Sequence, residues 1–352
     1  MTIPTEPIGS IPRPKQLIEA TRKWEQGQLG TDALALISEE AVRDAIQRFE
    51  ATGSPVITDG EQSKPSFATY AIDGARNLAP DGISIPFADG HTRQLPRLTA
   101  GPFRYTMYAV RYLNLARGFT KLPLKQAVIS ASALSLLYPQ DGIPDYPREQ
   151  FVEDLINEAE KDIRDCLQAG AATVQIDFTE GRLALKLDPS GTLLNRFVAM
   201  NNRVFERFSA EERLRLGVHS CPGGDRDSTH SADVDYAGLL PRLFKLNVTN
   251  FYLQMASERN RDQVLQAVRN VIQPQHRVFV GVIDPIDPRL ETPDEVCARL
   301  LQAAKYIPVS QLGTTDDCGF APFMDDTSTA RDLAFSKIAA RVKGTAMASG
   351  RL

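Results

Sequence analysis

The chain has 352 residues, of which 42% are hydrophobic and 24% are charged, a composition typical of a globular protein. Its net charge of −4 at pH 7 excludes the basic excess that nucleic-acid-binding surfaces usually show. No apolar run approaches the ~20 residues of a membrane helix, and the N-terminus lacks the basic and apolar regions of a signal peptide. We therefore expect a cytoplasmic protein with small-molecule partners and no nucleic-acid or membrane partner. The sequence leaves the oligomeric state open.

The first third of the chain mixes extended, helical and irregular stretches. An extended segment begins near Ile8, because its prolines disfavour helix in the residues before them. Helical periodicity follows over residues 15–50, and residues 54–61 form a strand candidate with a polar end. Residues 65–115 are rich in Pro, Gly and aromatic residues, and we interpret them as an insertion over one face of the fold. Within it, residues 103–109 alternate like an antiparallel strand.

From residue 125 onward, strand candidates alternate with helical stretches. Such alternation implies parallel strands joined by right-handed crossovers, and eight units imply a closed (β/α)8 TIM barrel. Without a linker or a repeat, we expect residues 1–352 to form a single α/β barrel domain that carries the insertion. The eight strand candidates lie near Ile8, Ile57, Ile129, Ile176, Val218, Leu253, Val280 and Leu312.

Polar residues stand at the C-terminal ends of these strand candidates. TIM barrels build their active sites on that face, so the coincidence along one chain predicts a functional site there. The residues are Ser10, Glu61, Ser130, Asp177, His219, Cys221, Gln254, Asp284 and Cys318.

A metal site is indicated by the pattern His219-Ser-Cys221. Residues i and i+2 of a strand point to the same side, so the imidazole and the thiol converge. Sulfur with imidazole suits Zn2+, and Cys318 at another strand end supplies a third ligand. From spacing alone, the alternative is a packed strand end with an incidental buried thiol, which is common. Cys166 and Cys297 lie in helical stretches, and we interpret them as core thiols.

Glu61 and Asp177 are carboxylates at two strand ends. They could be ordinary solvated acids. In a barrel they would instead converge, and a substrate ammonium group would relieve their mutual repulsion. The sequence shows no phosphate-binding loop, dinucleotide fingerprint or Gly-x-Ser-x-Gly elbow.

Five short motifs carry a family resemblance: Ile8-Gly-Ser10, Asp59-Gly-Glu61, Gln175-Ile-Asp177, His219-Ser-Cys221 and Asp317-Cys318-Gly319. Their order and spacing resemble the C-terminal catalytic barrel of cobalamin-independent methionine synthases, in a short single-barrel form. The resemblance runs from Ile8 to about Ala346. It implies a zinc ion held by His219, Cys221 and Cys318, and a homocysteine site formed by Ile8, Ser10, Glu61 and Asp177.

The chain departs from the family pattern at three positions. The family's fourth zinc ligand is a glutamate, and Gln254 stands in its place with Glu258 close by. This leaves Gln254, Glu258, water or substrate as the fourth ligand. The family histidine associated with methyl transfer from the folate is replaced by Ile286. The family tryptophan after the third strand is absent from residues 130–134.

The resemblance implies a zinc-dependent methyltransferase of methionine biosynthesis that methylates the homocysteine thiol, with a folate or a simpler methyl donor. One alternative is a zinc-dependent thiol alkyltransferase or lyase similar to epoxyalkane:coenzyme M transferases, acting on a non-folate electrophile. Another is a structural-zinc or uroporphyrinogen-decarboxylase-like barrel. Retention of Glu61 and Asp177 favours a thiol that bears an amino group over a sulfonate thiol.

Overall fold

The computed structural model of the protein describes residues 2–352. Its main feature is a six-stranded parallel sheet in the spatial order β12-β11-β10-β7-β6-β5. The six other strands form short antiparallel pairs. The strands are β1 (Leu78–Ala79), β2 (Ser84–Pro86), β3 (Thr92–Gln94), β4 (Arg97–Leu98), β5 (Lys125–Ile129), β6 (Thr173–Asp177), β7 (Leu216–Ser220), β8 (Gly224–Asp225), β9 (Ser228–Thr229), β10 (Asn250–Leu253), β11 (Arg277–Ile283) and β12 (Leu312–Asp316).

Two extended N-terminal segments fill the gap between the edges of the parallel sheet. One pairs with β12 through a parallel bridge at Thr5, and the other bridges from Ile57 to Leu124, just before β5. The two segments join where the Ile11 amide donates to the Gly60 carbonyl at 3.0 Å. The predicted (β/α)8 barrel is thus confirmed. Two of its eight positions are bridges rather than regular strands, since the prolines of these segments remove ladder donors.

Helices cover the outside of the barrel. The predicted helix over residues 148–168 has these bounds in the structure, and it buries an apolar stripe that includes Leu155 and Ile163. No helix of the described residues is long and apolar enough to cross a membrane. The helices are α1 (Lys15–Glu25), α2 (Thr31–Ala51), α3 (Val110–Arg117), α4 (Ala131–Leu134), α5 (Arg148–Gln168), α6 (Glu180–Leu187), α7 (Thr192–Phe205), α8 (Ala210–Arg213), α9 (Tyr236–Leu243), α10 (Arg261–Val271), α11 (Pro293–Ala303) and α12 (Arg331–Ser349).

The segment interpreted as an insertion contains an antiparallel ribbon, in which β1 pairs with β4 and β2 pairs with β3. The ribbon is fastened to the C-terminal face of the barrel. Arg93 donates to Asp225 at 3.0 Å and to Asp325 at 2.9 Å. The prediction of a strand over residues 103–109 was wrong. Backbone amides of this stretch donate to carboxylates of α5, among them Glu158, instead of pairing with a strand.

The register of the barrel strands decides which side chains share a level inside the barrel. Asp177 pairs with His219, and His219 pairs with Tyr252. Tyr252 stacks on Phe279 at 4.6 Å and packs with Ile8 in the barrel interior. Because strand side chains alternate, Asp177 and His219 face inward as well. The next inward level, two residues further along, lies at the C-terminal mouth.

Candidate metal centre and thiol pocket

Three potential metal ligands meet at the mouth of the barrel. One ligand atom from each of His219, Cys221 and Cys318 lies within 4.8 Å of the other two. The Sγ atoms of the two cysteines are 3.2 Å apart. His219 and Cys221 are buried, and Cys318 is partly exposed. Two thiols and an imidazole with one open side are a donor set that fits Zn2+.

The imidazole of His219 is oriented by its neighbours. Nδ1 lies 3.2 Å from Asp177 Oδ1, and Nε2 lies 3.3 Å from the Asp317 carbonyl oxygen. Burial alone would lower the pKa of His219, but the hydrogen bond with Asp177 and the charge of Cys318 outweigh burial and raise it. A carboxylate behind a histidine is the usual partner arrangement of metal-binding imidazoles.

The two thiols differ in acidity. Burial raises the pKa of Cys221, and its contact with Cys318 adds to this shift. The hydrogen bond from Cys221 lowers the pKa of Cys318, with help from His219 and the Gly224 amide. The contact between the two sulfurs thus favours one thiolate in the pair, and the thiolate is the form that binds metals.

A small cavity next to the thiols contains the predicted substrate residues. The structure thus brings the two carboxylates, His219 and Cys318 to one space. Its lining includes Ile8, Ser10, Glu61, Asp177, His219 and Cys318.

Lys64 was missed by sequence reasoning. Its Nζ donates to Glu61 Oε1 at 3.0 Å and to the Ala127 carbonyl at 2.9 Å, and it lies 4.8 Å from the centre of the Tyr70 ring. Burial raises the pKa of Glu61, whereas Lys64 works against this shift. Glu61 Oε1 is therefore already hydrogen-bonded to Lys64. No pattern in the sequence singles out a lysine three residues after the acid.

The turn that carries Glu61 is held in an uncommon backbone conformation. Glu61 has φ 54°, in the left-handed region, and its amide donates to Asp59 Oδ1 at 2.9 Å. Arg13, which is buried, donates to the Glu61 carbonyl at 2.6 Å and also to the carbonyl of Ala321. One guanidinium therefore ties the first two barrel segments to the loop that follows Cys318. Backbone strain of this kind persists where the surroundings fix it, often at functional sites.

Both candidates for a fourth protein ligand are hydrogen-bonded to one guanidinium. Gln254 Oε1 accepts a hydrogen bond from Arg182 Nη1 at 2.8 Å, and Glu258 Oε1 accepts one from the same nitrogen at 2.7 Å. Gln254 Nε2 donates to Ser257 Oγ at 2.6 Å. Both side chains are thus engaged by Arg182, a residue that the sequence reasoning did not single out.

Two larger pockets flank the thiol pocket. One is lined by Ile286, Gln254 and Cys318 among others. The other is an apolar groove between the ribbon and the barrel, with Phe67 and Leu134 in its walls. Each shares lining residues with the thiol pocket.

Gly319 is packed against the predicted substrate residue Ser10. A Cβ atom at this position would lie 2.1 Å from Ser10 Oγ. We expect Gly319→Ala to displace Ser10, raise the KM for the thiol substrate several-fold, and cost about 1–3 kcal/mol of stability through overpacking. Steady-state kinetics and thermal unfolding measure both effects. Ser10→Ala in the same background should recover stability but not KM, and unchanged kinetics in Gly319→Ala would remove Ser10 from the site.

Comparison with known proteins identifies the family to which the chain belongs. The family model described as "Cobalamin-independent synthase, Catalytic domain" matches residues 3–341. A 5-methyltetrahydropteroyltriglutamate–homocysteine methyltransferase of Nitratidesulfovibrio vulgaris is 24% identical over 323 residues, which are 90% of this chain and 39% of that protein. The chain thus spans about two fifths of that relative. A methionine synthase of Sulfurisphaera tokodaii is 22% identical, over 97% of this chain and 91% of that protein.

Solved structures share the fold. A B12-independent methionine synthase from a Shewanella species, in complex with selenomethionine, superposes with a TM-score of 0.78 at 20% identity, over 100% of this chain and 99% of that one. A putative B12-independent methionine synthase from Listeria monocytogenes has a TM-score of 0.71 at 22% identity, over 99% and 98% of the two chains. With the family model matching nearly its whole length, the chain belongs to the family of cobalamin-independent synthase catalytic domains.

Proposed function

We propose that this protein is a zinc-dependent methyltransferase that transfers a methyl group, from a folate or a simpler donor, to the thiol of homocysteine. The observation that carries the proposal is the shared pocket whose walls contain His219, Cys318, Glu61 and Asp177. The names of the relatives point to the same reaction. Residues 1–352 act as one domain in this proposal, and a cytoplasmic location stays a prediction from the sequence.

The metal half of the site is assigned to His219, Cys221 and Cys318. When bound there, zinc would supply a positive charge that keeps a substrate thiol deprotonated at neutral pH, although a free thiol has a pKa near 8.5. Asp177 holds the His219 ring in place through its Oδ1 atom. The soft sulfur ligands favour zinc over Mg2+ or Ca2+.

The amino-acid half of the site is assigned to Ile8, Ser10, Glu61 and Asp177. Asp177 Oδ1 already accepts from Gln175 at 2.8 Å, and Glu61 Oε1 already accepts from Lys64. Asp177 Oδ2 and Glu61 Oε2 are the oxygens left for a substrate ammonium. Two carboxylates and one lysine give this pocket a net charge of −1, which one ammonium neutralises. Fixing that end of the substrate sets the direction in which its sulfur attacks.

The charge of the pocket also separates the main proposal from its alternative. A thiol that carries a sulfonate group, such as coenzyme M, would add a negative charge close to Glu61 and Asp177. Such an addition is unfavourable in a buried site that is already negative. One observation favours a non-folate electrophile: the wall of the larger pocket beside Cys318 contains Ile286, a side chain that cannot exchange a proton. The zinc-dependent thiol alkyltransferase is therefore kept as the second candidate.

A single set of assays decides between these functions. Metal analysis of the purified protein should find about one zinc per chain, and a protein without bound zinc would exclude both candidates. Homocysteine is then supplied with 5-methyltetrahydropteroyltriglutamate, a methylsulfonium compound or a short epoxide, and coenzyme M replaces homocysteine in parallel reactions. We expect methionine from homocysteine with at least one methyl donor. Alkylation of coenzyme M with no methionine formed would support the second candidate instead.

A further inference from the structure

We propose that Arg182 is a positioning residue that keeps the carboxamide of Gln254 away from the metal, so that the fourth coordination position is left for the sulfur of the substrate. The inference rests on the metal centre of the proposed function. It concerns what surrounds that centre: one buried guanidinium and the loop that follows strand β10.

Strand register places Gln254 directly beside a metal ligand. Leu253 pairs with Ser220, and the Gln254 amide donates to the Ser220 carbonyl at 3.3 Å. Gln254 is therefore the neighbour of Cys221 at the same level. Tyr252, two residues earlier, faces the barrel interior, so the Gln254 side chain starts out inward as well. From this position on the strand, a glutamine side chain would point to the metal unless another group held it elsewhere.

Arg182 is the group that holds it. The side chain of Arg182 is 1% exposed, and Nη1 donates to Gln254 Oε1 at 2.8 Å. Nη2 donates to the Val234 carbonyl at 2.7 Å, and the guanidinium lies 4.7 Å from the centre of the Tyr236 ring. These contacts fix the plane of the guanidinium. If Gln254 turned to the metal, a buried charged donor would lose a partner, and leaving such a donor unpaired is costly.

The same guanidinium also engages Glu258, the carboxylate that follows Gln254 on this loop. Glu258 Oε1 accepts from Arg182 Nη1 at 2.7 Å, which makes an ion pair within hydrogen-bonding distance. The pair is electrically neutral as a unit. Zn2+ held by two thiolates and one imidazole would be neutral too, so a substrate thiolate would not meet a third anionic protein ligand there.

The loop is anchored from the opposite side by Asp317. Its carboxylate accepts the backbone amides of Met255 at 2.8 Å, Ala256 at 2.8 Å and Ser257 at 2.7 Å. Asp317 directly precedes the ligand Cys318. Arg182 and Asp317 therefore hold residues 254–258 from two sides. The side-chain amide of Gln254 has both its oxygen and its nitrogen hydrogen-bonded within the protein.

Zinc affinity of Gln254→Ala tests the first half of the inference. Competition with a chromophoric chelator should give a zinc Kd within about threefold of wild type, with one zinc per chain. The absorption bands of the Co2+-substituted protein should also be unchanged. A loss of affinity of ~10-fold or more, the scale seen when metal sites lose a contributing group, would show that Gln254 supports the bound metal and would overturn the inference.

Arg182→Met tests the second half, because it removes the donors and keeps an unbranched apolar chain. With Gln254 released, the Co2+ spectrum should shift. Binding of homocysteine, followed by the sulfur-to-cobalt charge-transfer band, should weaken about 10-fold. Adding Gln254→Ala and Glu258→Ala to this variant removes both groups that Arg182 holds, and it should restore homocysteine binding. A combined variant as weak as Arg182→Met alone would assign Arg182 a merely structural role. If Arg182→Met does not fold, the chelator titration of Gln254→Ala decides the matter.

Cys318→Ser separates failure of this inference from failure of the proposed function. Its zinc affinity belongs to the same chelator series. If Cys318→Ser binds zinc as wild type does, the metal centre itself is misassigned. If Cys318→Ser loses zinc and Gln254→Ala loses it as well, the centre stands and only the role given to Arg182 and Gln254 is wrong.

Discussion

Cys318→Ser is expected to lower zinc affinity by more than ~100-fold and to abolish methyl transfer at physiological zinc concentrations. Replacing even a hydrogen-bond partner of a metal ligand typically costs 10–100-fold, and a direct ligand contributes more. Serine keeps the size of the side chain but offers a hard hydroxyl that stays protonated, whereas a cysteine thiol can bind the metal as a soft thiolate. Metal analysis after dialysis and the homocysteine assay measure the two effects.

The matched control removes a different thiol. Cys297 is buried in helix α11 among core residues and lies outside the cluster. We expect Cys297→Ala to retain one zinc per chain and to lose only stability, in the range of 0.5–3 kcal/mol that is common for single substitutions. A Cys318→Ser protein with wild-type zinc content and activity would show that the three side chains do not form the working metal site.

Local pattern was enough to predict the framework of the site. The spacing of His219 and Cys221 needs only the alternation of a strand, and the position of Cys318 needs only a later polar strand end. Counting apolar stretches predicted the eight barrel positions, because each strand is buried on both sides and reads as a short hydrophobic run. The helix of residues 148–168 was predicted with its observed bounds, since its apolar positions recur at helical spacing.

The features that the sequence did not predict depend on contacts between residues far apart in sequence. Helix α6 carries Arg182, yet it has eight residues, no side-chain cap and a glycine at Gly181, so it gives a weak helical signal. The partners of Arg182 come from loops more than 50 residues later. The stretch of residues 103–109 alternates like a strand, but carboxylates of α5 take its amides. In these cases, contacts with residues far away in the sequence determine the local structure. The local sequence pattern does not reveal those contacts.

The charges around Glu61 predict a large effect of its substitution on homocysteine binding. Glu61→Gln is expected to raise the KM for homocysteine by ~10–100-fold while zinc content stays at one per chain. A hydrogen bond to a charged group contributes about 1.5–3 kcal/mol, and 1.4 kcal/mol corresponds to a factor of ten. The substitution also leaves Lys64 without its carboxylate at 3.0 Å, which moves the net charge of the pocket from −1 to 0. The ammonium group of the substrate then meets an uncompensated lysine.

Two comparisons show whether the loss comes from the ammonium contact. The first uses 4-mercaptobutanoate, which lacks the amino group of homocysteine. Wild type should discriminate strongly against it, and Glu61→Gln should discriminate much less. The second adds Lys64→Met to Glu61→Gln, which returns the net charge to −1 through Asp177 alone and should recover part of the lost homocysteine affinity. If Glu61→Gln weakened both thiols equally, Glu61 would act on the backbone turn at φ 54° and not on the substrate amine.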